Sequence, residues 1–297
     1  MTFLMDSASL GLQYALLAMG VYITFRVLNI PDLTVDGSFT LGMAVSAVCS
    51  VAGYPWLGLA AAMAAGACAG MVTGTLQTRA GIHAILAGIL TMSGLYTVNV
   101  TILGGPNVSL LSSRKFYETL MDWGLGKDLA KAAGTLLICA AAVLLLAGFF
   151  KTVMGLSIRA TGDNEDMVRA SSINTARTKT AAIALANAMV ALSGGILAQC
   201  QGFADINSGS GMIVIGFASV IIGEVFFGRR SITLGLISAV VGSVVYRLLI
   251  AAALSANLLS ANALKLISAV IVAATLSVPR IQAGIAEHRM KRRHKSC

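Results

Sequence analysis

The sequence predicts an all-α fold, a polytopic transmembrane helical bundle of about nine spans, and three observations predict it. Of 297 residues, 57% are apolar and only 11% charged, where soluble domains carry roughly 25% charged residues. The mean hydropathy is +0.85, so two or three soluble domains of this total length would lack the polar surface each needs. Apolar runs recur that meet or approach the roughly 20 residues a helix needs to cross about 30 Å of hydrocarbon. An ordinary soluble enzyme is excluded.

In order, the runs cover 8–25, 38–52, 56–76, 82–103, 129–150, 180–200, 211–227, 232–254 and 259–278. The second is short, so the segment 29–37 is expected to enter the membrane with it, broken by Pro31 and Gly37. The third carries Gly58, Ala62, Gly66, Gly70 and Gly74, a stripe of small residues on one helical face that lets a neighbouring backbone come close. Asp32, Gly37 and Gly42 weakly echo Asp205, Gly211 and Gly216, each set ahead of an apolar run as in two halves of an inverted repeat.

Charge sets the expected orientation. No Lys or Arg precedes the first run, and Arg26 follows it directly, which places the N-terminus outside and argues against a cleaved signal peptide. Alternation then puts Arg26, Arg79, the loop 151–179, Arg229 with Arg230, and the C-terminus on the inner, cytoplasmic side of the membrane. Each of these is basic, whereas the outer loop 104–128 offsets Arg114, Lys115 and Lys127 with Glu118, Asp122 and Asp128. The domain reading is a transmembrane unit over 1–279 and a basic cytoplasmic tail over 280–297. That tail carries Arg289, Lys291, Arg292, Arg293 and Lys295; its composition also fits a nucleic-acid or anionic-lipid patch, but after a last span it reads as meeting membrane lipid and no nucleic acid. Cys49, Cys68, Cys139, Cys200 and Cys297 form no CxxC pair, and two of three histidines lie in the tail, so neither a disulfide frame nor a metal site is indicated.

The largest inner loop, 155–179, is the most unusual stretch. Asp163 or Asn164 can cap a helix, Glu165 and Asp166 suit the positive end of its dipole, and Met167, Val168, Ala170 and Ile173 offer an apolar side. A short exposed helix of this kind must bury that side on the protein's own spans, on lipid or on a cytoplasmic partner.

At this point the sequence resembles a family, the integral-membrane permeases of ATP-binding-cassette importers that handle branched-chain amino acids and ribose-type sugars. The resemblance rests on Ile158-Arg159-Ala160-Thr161-Gly162-Asp163-Asn164, Ala170-Ser171-Ser172-Ile173-Asn174 and Ala191-Leu192-Ser193-Gly194-Gly195. Asp32-Leu33-Thr34-Val35-Asp36-Gly37-Ser38 is similar to the DLSVG-type segment of the sugar permeases. With Ile30-Pro31 ahead and Phe39 behind, it resembles a branch whose binding proteins are linked with aromatic amino acids. Ser172 stands where many relatives have Gly and Asp36 is extra, so a sugar substrate does not carry over.

The resemblance implies a coupling helix in the loop, with Arg159, Gly162, Asp163, Asn164, Glu165, Met167, Ala170 and Ile173 facing an ATPase subunit. It also implies an extracytoplasmic solute-binding protein and a second permease copy as partners. The chain has no GxxxxGK[ST] loop, since Gly124-Leu125-Gly126-Lys127 lacks the first Gly. It is therefore expected to bind no cofactor, the ATP being used by the partner ATPase.

Polar groups at membrane depth are candidates for a solute pathway because each is costly in lipid. Asp32 and Asp36, four apart and so on one face of a helix, meet either a solute or only the helix entrance. Asn99, Asn187 and Glu224 line the route or make interhelical hydrogen bonds. Arg247 either snorkels outward or pairs with Glu224 or a substrate carboxylate. No nucleophile and base recur as an active-site motif, so the chain reads as non-enzymatic. Alternatives to the importer permease are an ion-coupled secondary transporter, with Asp32, Asp36 or Glu224 holding a proton or sodium, and a membrane scaffold whose tail and loop bind partners.

Overall fold

A chain at membrane depth has no water to satisfy its N–H and C=O groups, so the helix is the form each apolar run takes. The computed structural model describes residues 2–122, 124, 126–228 and 231–255. Its helices are α1 (Thr2–Tyr22), α2 (Val35–Val51), α3 (Pro55–Thr78), α4 (Ala84–Leu103), α5 (Glu118–Met121), α6 (Lys127–Phe149), α7 (Val153–Asp163), α8 (Glu165–Ala170), α9 (Thr175–Gln201), α10 (Met212–Phe227) and α11 (Ile232–Ser255). Among the described residues six helices are long and apolar enough to cross a membrane, and α2 and α10 are shorter apolar helices. The ninth run, the Arg229–Arg230 pair and the basic tail lie outside the described residues.

The all-α expectation needs one correction. Asn107–Ser109 (β1) and Phe203–Asp205 (β2) form a two-stranded antiparallel ladder, with Asn107 opposite Asp205 and Ser109 opposite Phe203. It clasps the chain after α4 to the chain after α9 at one end of the bundle. The opposite end carries α7 and α8.

Helix α9 is the central column, packed by α1, α2 and α3, while α11 lies on α1 and α10, and α4 lies on α2. Small residues bring these backbones together. A Cβ on Gly42 would strike the Ala191 carbonyl, one on Gly66 the Asn187 carbonyl, and one on Gly70 the Ile183 carbonyl. The α3 stripe is thus a packing surface: Gly58, Ala62, Gly66, Gly70 and Gly74 are all buried. Where hydrophobicity cannot drive one helix onto another, such close contact supplies the dispersion energy.

The break in the second span lies earlier than Gly37. Helix α1 ends in a π-turn, Ile23–Val27, Asn29 takes a left-handed φ of 57°, and α2 begins at Val35. Gly37 sits inside that helix, buried, so the interruption is the work of Asn29, Pro31 and a side-chain turn at Asp32.

Gly70→Ala is expected to cost about 1–3 kcal/mol by forcing α3 and α9 apart. Gly94→Ala, on α4 with no neighbour within 4 Å, is expected to be neutral or to stabilise by up to about 1 kcal/mol. Thermal unfolding midpoints of the two variants in detergent check this order.

Candidate functional site

Two interrupted helices meet inside the bundle. Helix α9 has 27 residues, about 40 Å at 1.5 Å per residue, and Asn187 lies about 18 Å from its start, close to half depth. Asn187 Nδ2 donates to Asp32 Oδ2 at 2.7 Å, so the chain has come that far back into the bundle before α2 starts. The Thr34 N–H donates to Asp32 Oδ1 at 2.9 Å, a side-chain turn that launches the helix. The Thr34 and Thr73 hydroxyls meet at 2.8 Å, fixing the same point to α3.

Helix α10 starts the same way from the opposite direction. Asp205 Oδ1 accepts from the Asn207 N–H at 2.7 Å, repeating the turn at Asp32, and the chain then reaches Gly211, whose φ is 85°. There Asp36 Oδ2 accepts from the Gly211 N–H at 2.9 Å and Oδ1 from the Ile213 N–H at 2.8 Å. Asp36 also lies in the first turn of its own helix. One carboxylate therefore faces the positive ends of two helices and satisfies donors that α10 leaves open. Both halves of the Asp–Gly–Gly echo thus supply a turn followed by a short apolar helix.

Asp32 and Asp36 do not share a helical face. Asp32 precedes the helix and is bonded to α9, while Asp36 is bonded to α10, because the turn at 32–34 rotates the chain between them. Asn99 Nδ2 donates to the Gly37 carbonyl at 3.2 Å, and its Oδ1 has no partner although the residue is only 2% exposed. Asp36 and Asn99 border a cleft of about 430 Å³ together with Met92, Ser93, Tyr96 and Asn207. Asp32 and Asn187 do not border it.

Glu224 lies far from that cleft, at the α8 end. Arg26 Nη2 donates to its Oε2 at 2.6 Å from within the π-turn, with the guanidinium 4.5 Å above the Phe25 ring. Gly223 packs on Ser238, which is about 13 Å along α11 from Arg247, so Arg247 is out of reach of Glu224. Its guanidinium lies 4.1 Å above the Tyr14 ring, a cation–π contact within the bundle.

The loop 155–179 contains two helices rather than one. Thr152 caps α7, Asn164 caps α8 and Asn174 caps α9, each side chain accepting from a main-chain N–H three residues on. Gly162 rests on the Val27 carbonyl with no room for a Cβ, seating α7 beside the π-turn. Glu165 accepts from Arg169 at 2.7 Å and from Lys179 at 2.5 Å. The hydrogen bond from Lys179 is the main reason its carboxyl is held below the usual range. Val168 turns inward, while Met167 and Ile173 are 65% and 37% exposed; Arg159, Asp163, Asn164 and Ala170 are exposed as well. Ser172 adopts φ 61°, a left-handed conformation that costs an L-residue about 1–2 kcal/mol and Gly nothing.

Gln199 does not stand out in the sequence. It is fully buried, donates to Ser46 Oγ at 2.9 Å and to the Pro55 carbonyl at 2.9 Å, and accepts from the Phe116 N–H at 2.8 Å. Its signal was the same as that of Asn187, an amide inside an apolar run.

Comparison with known proteins agrees with this architecture. The profile of a family described as the permease component of branched-chain amino acid transport systems matches residues 3–276. A tyrosine transport system permease protein of Clostridioides difficile (strain R20291) is 34% identical over 95% of this chain and 92% of its own. The ribose import permease RbsC of Escherichia coli (strain K12) is 27% identical over 70% of this chain and 65% of its own. A solved chain described as a metal-chelate type ABC transporter in an inward-facing conformation shares the fold. Its TM-score is 0.52 at 16% identity, covering 94% of this chain and 85% of that one.

Two expectations follow from the geometry. Asp36→Ala strands the Gly211 and Ile213 donors and should cost about 1–3 kcal/mol, with Asp36→Asn losing less because one acceptor remains; thermal melts of both variants test this. Glu165 titrates lower folded than unfolded, so its ion pairs contribute above the ordinary carboxylate range and are lost as pH falls through the folded value. Hydrogen exchange of the α8 amides, corrected for intrinsic rates, should therefore quicken as pH falls below the ordinary carboxylate range, and Glu165→Gln should show no such step.

Proposed function

The chain belongs to the permease family of branched-chain amino acid transport systems, and from that premise we propose a permease that imports a small solute of the amino acid class. Membership makes it a multi-pass membrane protein, the permease of an ATP-binding-cassette transporter and not itself an enzyme. This sets aside the ion-coupled carrier and the scaffold. Permeases of this kind work with an ATPase and a solute-binding protein.

The amino acid class is favoured by the tyrosine permease that aligns over nearly the whole chain. A cleft of about 430 Å³ is also of the size that suits a small ligand. The route passes Asp36 and Asn99, with Asp32 and Asn187 holding the mouth of α2 in place and Glu224 tying the far end of α10 to Arg26. The cleft is bordered by Tyr96 of α4, which is 57% exposed. Hydrocarbon against Asp36, Ser93 and Asn207 would be costly, and a second copy of the permease covers this side.

In this reading nine spans cross the inner membrane, with the N-terminus outside and the tail 280–297 in the cytoplasm against lipid headgroups. The chain itself binds no cofactor, and ATP is consumed by the partner. Helix α8 and its flanks are the coupling element. Arg159, Asp163, Asn164, Met167, Ala170 and Ile173 meet the ATPase, Glu165 stiffens the element through Arg169 and Lys179, and Gly162 seats it.

The observation that carries this assignment is the arrangement of Met167 and Gly162. An apolar side chain is presented outward on the short capped helix α8, and the adjoining α7 is seated directly on the Val27 carbonyl of the π-turn that ends α1. A rigid knob joined to two long helices is what transmits a partner's movement.

Replacing residues 163–170 with a Gly/Ser linker should abolish solute-stimulated ATP hydrolysis by the reconstituted complex while leaving the spans inserted. Met167→Glu should lower it at least about fivefold by placing a charge in an apolar contact. Undiminished hydrolysis in both would refute the coupling role.

A further inference from the structure

We infer that the cleft between α2, α4 and the segment before α10 is a solute station that selects for a protonated amine, with Asn99 Oδ1 as the specificity-determining acceptor. The inference rests on the reading of the chain as a permease for amino-acid-class solutes and adds which end of the solute the permease holds.

The orientation of the Asn99 amide is fixed by its neighbour. The Gly37 carbonyl can only accept, so Nδ2 must face it, at 3.2 Å. Oδ1 is left as a buried acceptor with no partner, on a residue 2% exposed that borders the cleft. Buried acceptors are nearly always paired, and one left open at a cleft is a place for a ligand's donor. Asp36 stands across the same cleft. Its oxygens accept the Gly211 and Ile213 N–H groups, with the Met212 N–H also donating toward the carboxylate, and a carboxylate's roughly four lone-pair sites leave acceptor capacity over.

The cleft offers an anion much less. Two helix N-termini converge there, and such ends hold carboxylates and phosphates, but Asp36 already occupies them. Among the described residues that border the cleft there is no Lys, Arg or His. A solute carboxylate finds only hydroxyls and the like charge of Asp36. Tyr96 lies one turn before Asn99 on α4, with Met92 one turn before that, giving an aromatic side chain a ring face and a soft, polarizable neighbour. The station therefore fits an aromatic amine, with the ring along α4 and the ammonium between Asn99 and Asp36.

The test uses the assembled permease–ATPase complex in lipid nanodiscs without a binding protein, so that the preference measured is the permease's own. Three probes that differ at one end are tyrosine, tyramine and 3-(4-hydroxyphenyl)propanoate. Tyramine should bind at least as tightly as tyrosine and the propanoate at least about tenfold more weakly than tyramine, with Asn99→Leu removing about tenfold from tyramine, each tenfold being about 1.4 kcal/mol. A thermal melt of the Asn99→Leu complex that matches the wild type shows that its loss of tyramine is not misfolding. The inference is overturned if the propanoate binds as tightly as tyramine, if Asn99→Leu binds tyramine like the wild type, or if no probe binds. Uptake of a radiolabelled amino acid mixture by proteoliposomes with the binding protein present separates the two failures. Uptake without amine preference sinks only this inference, and no uptake of any amino acid sinks the underlying reading.

Discussion

One carboxylate joins the N-terminal ends of two short helices in the middle of an apolar bundle, and the remaining architecture is arranged around that junction. Helix α2 starts at half depth because Asp32 closes a turn and is held by Asn187. Helix α10 starts there because Asp36 takes its Gly211 and Ile213 donors. Without water, open donors at these ends would be costly. The two helices are short because each leaves the rest of its crossing to an irregular segment, which the surrounding protein shields. A cleft opens where those segments fail to fill the space.

Helix α10 links that junction to the other end of the bundle. Its first turn is held by Asp36 and its last by the ion pair from Glu224 to Arg26. Arg26 belongs to the π-turn that closes α1, and the next residue, Val27, lies beneath Gly162 of α7. A displacement of the α7–α8 pair thus bears on the π-turn, then on the ion pair, then on the helix whose opposite end borders the cleft. In the coupling proposal this is the route by which nucleotide-driven movement reaches the solute, with no long lever required. In that proposal the π-turn is the site of give, since such turns interrupt the regular helical bonding and recur at functional sites.

Several features were legible from residues alone. The small-residue stripe of α3 marked a close helix contact, since nothing larger would let α9 approach. A cap at Asp163 or Asn164, with Glu165 and Asp166 behind it, was readable because capping chemistry depends on residues three or four positions apart, and Asn164 is the one that caps α8. The weak echo of Asp32–Gly37–Gly42 in Asp205–Gly211–Gly216 pointed to the two interrupted helices. Other features were not legible. The face shared by Asp32 and Asp36 presumed a helix where a turn intervenes, and of the two breaks expected, Pro31 and Gly37, Gly37 lies inside α2 while Asn29 joins Pro31 in that work. Arg247 was weighed as a partner of Glu224 with no knowledge that α10 and α11 meet at Gly223 and Ser238, too far along the helix. Ser172, in a seat that suits glycine, was noticed only through relatives.

By itself the sequence determined that the protein is a helical membrane bundle, where most of its helices run and which local turns and caps start them. These depend on hydropathy summed over a segment and on bonds between near neighbours in the chain. Only the tertiary structure decided that Asp36 belongs to α10, Asp32 to α9, Arg26 to Glu224 and Asn99 to a half-satisfied place beside a cleft. Those pairings join residues 62 to 198 positions apart. A buried polar group must find a partner, but which one it finds depends on how the helices pack.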